Sequence, residues 1–387
     1  MAAFGVAVVG TGFIGPIHVE ALRRLGIEVI GILGSTPEKS QQAAEILGIE
    51  RGFVNYGELL ADRRVRAVHV AAPNHLHFDL TARALAVGKH VMCEKPLATN
   101  SRDSAELVRL AQKSHVAAGV TYNIRYYPLC REAAERVRLG EIGSMLHVSG
   151  SYVQDWLLLD TDYNWRVAKQ ENGVLRAIAD IGTHWLDLVQ YVVGQRVVAV
   201  CADLQTVHRM RLKPAGGLQS FAAAFETIQN AEPIEVNTED AGFVLLKFSG
   251  GARGCLCVSQ VTAGRKNALR FEAAGSRQAM AWDSERPNEL WIGRREAANE
   301  LLLRDPALMQ PAARDLASYP GGHNEGFADT FKQLFREFYQ YIITGDWSAA
   351  APFPTFADGH YEVLLCEAIS RSHLEQRWAE VKVEPIS

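Results

Sequence analysis

"FGVAVVGTGFIG", residues 4–15, decides how the chain begins. Its first half is a continuous apolar run. Such a run predicts a strand covered on both faces. Gly10, Gly12 and Gly15 then complete a G-x-G-x-x-G, and helical apolar spacing follows from Gly15 to about Leu25. A glycine turn can join strand to helix with no ligand at all. In a strand–turn–helix unit, however, each glycine has a specific task. One permits the tight turn, one lets backbone approach a pyrophosphate, and one allows close helix packing at a terminus that faces the phosphates. Gly10, Thr11, Gly12, Phe13, Ile14 and Gly15 are therefore candidate contacts to a dinucleotide.

Outward from this stretch the same alternation continues. "EVIGILG" (28–34), "RAVHVAA" (66–72), "HVMCE" (90–94) and "VAAGVTY" (116–122) predict further buried strands. Amphipathic segments at 37–48, 75–88 and 102–114 separate them. Continuous apolar strands divided by helices imply a parallel, doubly wound sheet. The expected Rossmann domain spans residues 1–123. The end of the second strand reports on the cofactor ribose. Asp or Glu there usually takes the 2′-hydroxyl of NAD. Here the residues are Gly34, Ser35 and Thr36, with Lys39 one turn later. Two hydroxyls and an ammonium suit a 2′-phosphate. NADP(H) is expected to be preferred, with NAD(H) possible. Ser35 and Thr36 can equally cap the helix that Pro37 opens.

From residue 124 the pattern changes. A helix near 129–139 leads to "SMLHVSGSYVQDW" (144–156), an alternating strand, and to "ADIGTHWLDLVQY" (179–191), a helical segment. From about Val197 to Ile292 strand patterns repeat, with a hairpin turn at "SGG" (249–251). Residues near 208–237 interrupt them as an insertion. Two helical stretches, near 325–344 and 358–376, close the chain. The second domain, 124–387, is expected to be α+β with a large, mostly antiparallel open sheet.

The chain has 387 residues, which suits two domains. A net charge of -4 without a basic stripe argues against nucleic acid. No apolar run is long enough to span a bilayer, and no export signal opens the chain. The six cysteines are scattered. Cys255 and Cys257 lie on one side of a predicted strand, as two small buried side chains would. A cytoplasmic, reduced protein without a structural metal is the expectation.

In "ADIGTHWLDLVQY", Asp180, His184 and Asp187 share a helical face. Asp180 as an N-cap, with the other two solvated, is the plain reading of such spacing. A set of motifs elsewhere points further. "GTGFIG", "PNHLH" (73–77), "GKHVMCEKPL" (88–97), "YNIRYYP" (122–128), "DIGTHWLD" (180–187), "TEDAGFVLLKFSGGARG" (238–254) and "GGHNEGFADTF" (321–331) follow in order. Together they resemble the glucose–fructose oxidoreductase, inositol dehydrogenase and rhizopine catabolism (Gfo/Idh/MocA) family across nearly the whole chain. "YVQDW" (152–156) with "NWR" (164–166) resembles anhydrosugar dehydrogenases.

The resemblance implies a catalytic group of Lys95, Asp180 and His184, and a Lys95–Pro96 bond that is often cis. It implies cofactor contacts from Pro73, Asn74, His77, Glu94, Lys95, Asn123 and Arg166. For the substrate it implies Arg125, Tyr152, Asp155, Trp165 and His323 beside the catalytic three. Asp187 is either a substrate ligand or half of a structural ion pair. Trp156 and Trp165 are more often core than sugar platforms. The family's usual glycine run before the catalytic Asp is missing; only Gly173 is kept, and Arg176 intrudes. The implied activity is hydride exchange between a nicotinamide and a secondary alcohol of a sugar, cyclic polyol or anhydrosugar. His184 or Lys95 would be the proton acceptor. The same fold also serves non-enzymatic NADP-sensing regulators and redox glycosidases that hold NAD. An open sheet needs cover, so a homodimer or homotetramer through it is expected.

Overall fold

The computed structural model describes residues 4–214 and 231–384. Six parallel strands form the first sheet: β1 (Gly5–Val9), β2 (Glu28–Leu33), β3 (Arg51–Gly52), β4 (Val65–Val70), β5 (His90–Cys93) and β6 (Ala118–Val120). Their order is β3-β2-β1-β4-β5-β6. Between them lie α1 (Ile14–Arg24), α2 (Pro37–Leu47), α3 (Tyr56–Ala61), α4 (His77–Ala86) and α5 (Ser101–Ser114). Alternate residues of β1 feed two cores. Ala7 and Val9 join Leu59, Leu85 and Leu107 on one face. Val6 and Val8 join Val19 and Leu22 on the other. That division explains why the strands read as unbroken apolar runs. Strand β3 and helix α3 carried too few periodic residues to be expected.

Local chemistry sets the boundaries. Thr36 and Asn100 accept hydrogen bonds from Lys39 and Asp103 backbone N–H groups and so cap α2 and α5. Gly10 sits at φ 123°, where a Cβ would lie 2.1 Å from the Ala71 carbonyl oxygen. A Cβ on Gly15 would lie 2.0 Å from the Gly10 carbonyl oxygen. Only glycine allows this turn and this helix approach.

The second layer starts with α6 (Pro128–Arg138), β7 (Met145–Val153) and a short α7 (Lys169–Asn172). A π-helical turn (Ile178–Gly182) follows and runs directly into α8 (Thr183–Val193). Asp180 is inside that turn and is not an N-cap. Gly194, at φ 66°, ends α8. Then come β8 (Val197–Gln205), β9 (Met210–Lys213), β10 (Glu232–Glu235), β11 (Ala241–Phe248), β12 (Arg253–Ser259), β13 (Ala268–Gly275), β14 (Gln278–Asp283), β15 (Glu289–Arg294) and β16 (Glu300–Leu303). The chain closes with α9 (Pro311–Arg314), α10 (Phe327–Thr344), α11 (Phe356–Glu375) and β17 (Ala379–Glu380). Nine strands form the order β16-β15-β14-β13-β7-β12-β11-β8-β17. All neighbours are antiparallel except β12 and β7. The "SGG" turn joins β11 to β12, with Lys247 opposite Arg253. Strands β9 and β10 pair as a separate ribbon within the insertion, whose residues 215–230 lie outside the described residues.

One face of the large sheet is packed by α6, α8 and α11, and Val244, Leu246, Leu256 and Val258 point into that core. The opposite face is open. Phe243 and Leu245 are each 51% exposed, and Cys255 is exposed beside them. The cysteine pair is therefore not buried as expected. Its parity in β12 points away from the helices, because Leu256 and Val258 take the inward positions. Helix α10 returns to the first sheet, where Phe331, Leu334, Phe335 and Phe338 complete the core under Val6 and Val8. Among the described residues no helix is long and apolar enough to cross a membrane.

Candidate active site

The two layers enclose a cleft of about 800 Å³. Its floor is the C-terminal edge of the parallel sheet, at the switch point between β1 and β4 where such sheets bind ligands. Gly10, Thr11, Gly12, Phe13 and Ile14 line it from the first turn. Ser35 and Lys39 line it beyond β2, Pro73, Asn74 and His77 beyond β4, and Glu94 and Lys95 beyond β5. Asn123, Tyr152, Trp165, Arg166, Asp180 and His184 face them. A Cβ on Gly12 would meet nothing within 4 Å, so the glycine turn is open toward the cleft.

The centre is the pair Lys95 and Asp180. The Lys95 ammonium donates to Asp180 Oδ1 at 3.0 Å and to the Asp180 backbone oxygen at 2.7 Å. The Lys95–Pro96 bond is cis. Gln260 Nε2 donates to Asp180 Oδ2 at 2.9 Å, and Arg166 Nε stands 3.3 Å from Oδ1. Burial pushes this carboxyl up, but the charges of Lys95 and Arg166 outweigh it and hold the group well below the usual carboxylate range. The π turn matters here, because one wider turn swings Asp180 toward the cleft while α8 continues. His184 lies one turn on, edge to face with Tyr122 at 5.8 Å. Burial and the Lys95 charge lower its pKa to about 3. Its Nδ1 has no hydrogen-bond partner among the described residues. The imidazole is thereby held toward its neutral form.

Support comes from polar groups around the rim. Asn74 Nδ2 donates to Asn172 at 2.7 Å, and Asn123 Nδ2 to the Thr330 hydroxyl at 2.7 Å. His77 is clasped between the Pro96 and Ala72 carbonyl oxygens, at 2.7 and 2.9 Å. Tyr152 OH and Gln154 Nε2 both donate to Asn267 Oδ1 at 2.7 Å. The Arg166 guanidinium lies 4.5 Å from the centre of the Trp165 ring. Trp165 thus faces the cleft, whereas Trp156 packs against the Leu157, Val167 and Val236 cluster.

Several expected residues are elsewhere. Arg125 makes a paired contact with Asp187 of α8, Nε to Oδ2 at 2.7 Å; Asp187 is buried, Arg125 is largely so, and neither lines the cleft. A guanidinium with so little access to water requires a carboxylate, and Asp187 supplies it. Asp155 takes the Lys266 ammonium at 2.7 Å and does not line the cleft; Lys266 does. His323 is exposed, its ring meets the Gly321 carbonyl oxygen and its own carbonyl takes the Arg304 guanidinium; it does not line the cleft. The Thr36 hydroxyl is committed to its cap, and Gly15 is covered by the Gly10 turn, so neither lines the cleft. Arg176 is fully buried against Asp240 and does not shape the pocket. Conversely, Gln154, Lys266, Asn267 and Gln260 were not anticipated. Gln154 lies within the quoted "YVQDW", but no spacing marks the other three.

The fold and the cleft agree with what comparison shows. Residues 4–122 match the oxidoreductase family described by its NAD-binding Rossmann fold, and residues 130–281 match the GFO/IDH/MocA C-terminal domain. The chain belongs to this family. Levoglucosan dehydrogenase of Pseudarthrobacter phenanthrenivorans is 28% identical over 400 residues, covering 98% of this chain and 99% of the relative. Myo-inositol 2-dehydrogenase of Thermotoga maritima is 26% identical over 65% of this chain and 67% of its own. Among solved structures, an oxidoreductase domain protein from Kribbella flavida superposes with a TM-score of 0.89 at 28% identity, covering 99% and 100% of the two chains. Levoglucosan dehydrogenase in complex with NADH and levoglucosan superposes with 0.86 at 27% identity, covering 98% and 99%.

Proposed function

We propose that this family member is an NADP(H)-preferring dehydrogenase acting on a secondary alcohol of a sugar, cyclic polyol or anhydrosugar, and that NAD(H) is its weaker cofactor. The observation that carries the reading is the Lys95–Asp180 pair lining one cleft with the His184 imidazole and an open glycine turn. The names of the relatives, which include an anhydrosugar and an inositol dehydrogenase, support the substrate class.

When bound, the nicotinamide accepts the hydride. The protein's residues handle the proton and the charge. His184 takes the hydroxyl proton as the carbon–hydrogen bond breaks. Lys95, held by Asp180, places its ammonium against the oxygen as negative charge develops there. Asp180 fixes the ammonium and is itself fixed by Gln260. Asp180 and Glu94, whose negative charges raise the His184 pKa, would favour its taking up that proton. Tyr152, Trp165 and Arg166 offer the aromatic face and donors that hydroxyl-rich ligands require.

Ser35 and Lys39 line the cleft beyond β2, where no carboxylate does. That supports room for a 2′-phosphate. The open face of the nine-stranded sheet, with Phe243 and Leu245 exposed, supports a homodimer or homotetramer joined there.

The test is formation of reduced cofactor with NADP and, separately, NAD across sugars, inositols and anhydrosugars. Turnover of one group, faster with NADP, is expected. Tight cofactor binding without turnover of any alcohol would make the protein a sensor, and release of nitrophenol from a glycoside would make it a redox glycosidase.

A further inference from the structure

Glu94 is a buried carboxylate in the floor of the cleft, beside Lys95. The chemistry above uses neither Glu94 nor what stands behind it. Behind it runs a line of buried polar groups from three further elements. His18 of α1 places Nε2 3.0 Å from Glu94 Oε1. Its Nδ1 is 2.9 Å from His69 Nδ1, on β4. His69 Nε2 is 2.7 Å from the Tyr339 hydroxyl, on α10. Both imidazoles are fully buried, and Tyr339 is 3% exposed.

Two Nδ1 atoms can bond only if one carries a proton and the other a lone pair. A neutral imidazole has one of each. Burial holds His69 neutral. With both rings neutral two proton orders satisfy the middle of the line; a His18 imidazolium, donating at both nitrogens, would strand the Tyr339 O–H as the second of them does. In one, Tyr339 donates to His69 Nε2, His69 Nδ1–H to His18 Nδ1, and His18 Nε2–H to the Glu94 carboxylate. In the other, a protonated Glu94 donates to His18, His18 to His69, and His69 to the Tyr339 oxygen. The second order strands the Tyr339 O–H. Among the described residues its hydroxyl has His69 as its partner, and Phe4 and Phe338 pack against the ring. A buried donor without an acceptor is disfavoured. The first order leaves every group paired.

The geometry points to His18, His69 and Tyr339 as positioning residues: a one-way relay that keeps Glu94 ionised in the cleft floor, so that the site favours the oxidised, cationic nicotinamide over the reduced, neutral one. This rests on the reading of the cleft as a nicotinamide site. The other titratable groups facing Glu94 are His77 from α4, Lys95, His184 from α8 and Cys93. Burial lowers the pKa of His77 and of His184 and raises that of the thiol. Lys95 also draws Glu94 down, but its charge is common to wild type and Tyr339→Phe, so a difference between those two reports the line behind Glu94.

The wiring is read first without cofactor, by long-range 15N–1H correlation on protein labelled at histidine. The expected pattern is an Nδ1–H tautomer at His69 and an Nε2–H tautomer at His18. The reverse assignment at either ring overturns the relay. Dissociation constants for NADP+ and NADPH, and for NAD+ and NADH, are then measured from pH 5.5 to 8.5 on wild type, Glu94→Gln and Tyr339→Phe. Glu94→Gln is expected to weaken the oxidised form relative to the reduced form by about tenfold, the order one charge exerts through protein. Tyr339→Phe is expected to shift the ratio the same way, and to do so at higher pH than wild type. A Tyr339→Phe ratio equal to wild type at every pH overturns the proposal. If wild type binds neither cofactor, the nicotinamide reading fails, and the tautomers still decide the wiring.

Discussion

Asp180 and Asp187 are seven residues apart, each is buried or largely so, and each faces a cation. Their fates differ. Asp180 holds Lys95 at the edge of an 800 Å³ cleft, with a free imidazole one turn away. Asp187, on α8, holds Arg125, and neither lines that cleft. Burial, with Asp358 and Glu362 nearby, pushes Asp187 up against the pull of Arg125. Two cations carry Asp180 the other way. The comparison teaches that residue type, spacing and burial do not separate a working ion pair from a structural one. Access to a cavity does, together with an unsatisfied neighbour that chemistry can use.

Substitutions should pull the two pairs apart. Lys95→Met is expected to lower kcat/KM by about 10³-fold while cofactor binding persists, since it removes charge where the alkoxide forms. His184→Gln is expected to cost about 10²-fold or more, as loss of a positioned base does. Asp187→Asn should do the reverse. It leaves Arg125 short of its partner and is expected to cost about 3 kcal/mol in urea unfolding, with kcat/KM nearly unchanged. If Asp187→Asn abolished turnover in a folded protein, the distinction between the pairs would collapse. A smaller effect is expected from Ser35→Asp, which should turn preference from NADP toward NAD by about tenfold through like-charge repulsion. Asp155→Ala and His323→Ala, outside the cleft, should leave kcat/KM within about twofold of wild type, in line with exposed pairs.

Acid sharpens the same contrast. Burial lowers the His184 pKa from 6.5 to about 3 in the folded protein. Between those values only the unfolded chain takes up its proton. Its contribution to stability is therefore intact above pH 6.5 and is lost as pH falls toward 3. Denaturant unfolding from pH 7 to 4 should show a shallower loss for His184→Gln than for wild type. The kcat/KM profile of wild type should likewise lack an acid limb near pH 6.5, because His184 remains a base well below it.

Much of this was legible in the sequence. The unbroken apolar strands and the glycine turn determined the Rossmann sheet, since burial on two faces and a φ of 123° at Gly10 leave few alternatives. The alternating strands with the "SGG" turn determined the open antiparallel sheet. Lys95, Asp180 and His184 were named by resemblance to a family, and the fold brings them together. Spacing alone implied that Asp187 belonged with Asp180 and His184, because a regular helix repeats every 3.6 residues. Yet His184 and Asp187 both lie in the regular helix α8 and only His184 lines the cleft, so what packs against each side of that face, not the spacing, separates them. Nor could the sequence say which carboxylate Arg125 would meet, that Cys255 would face outward, that Lys266 and Asn267 would reach the cleft, or that Gln260 would hold Asp180. His18, His69, Glu94 and Tyr339 span more than three hundred positions, and nothing local marks them as one line. Local pattern reports how each segment buries its own surface. Which polar groups must then share a dry interior is decided only when distant segments are packed together, because a buried donor or charge takes whatever partner the tertiary structure supplies.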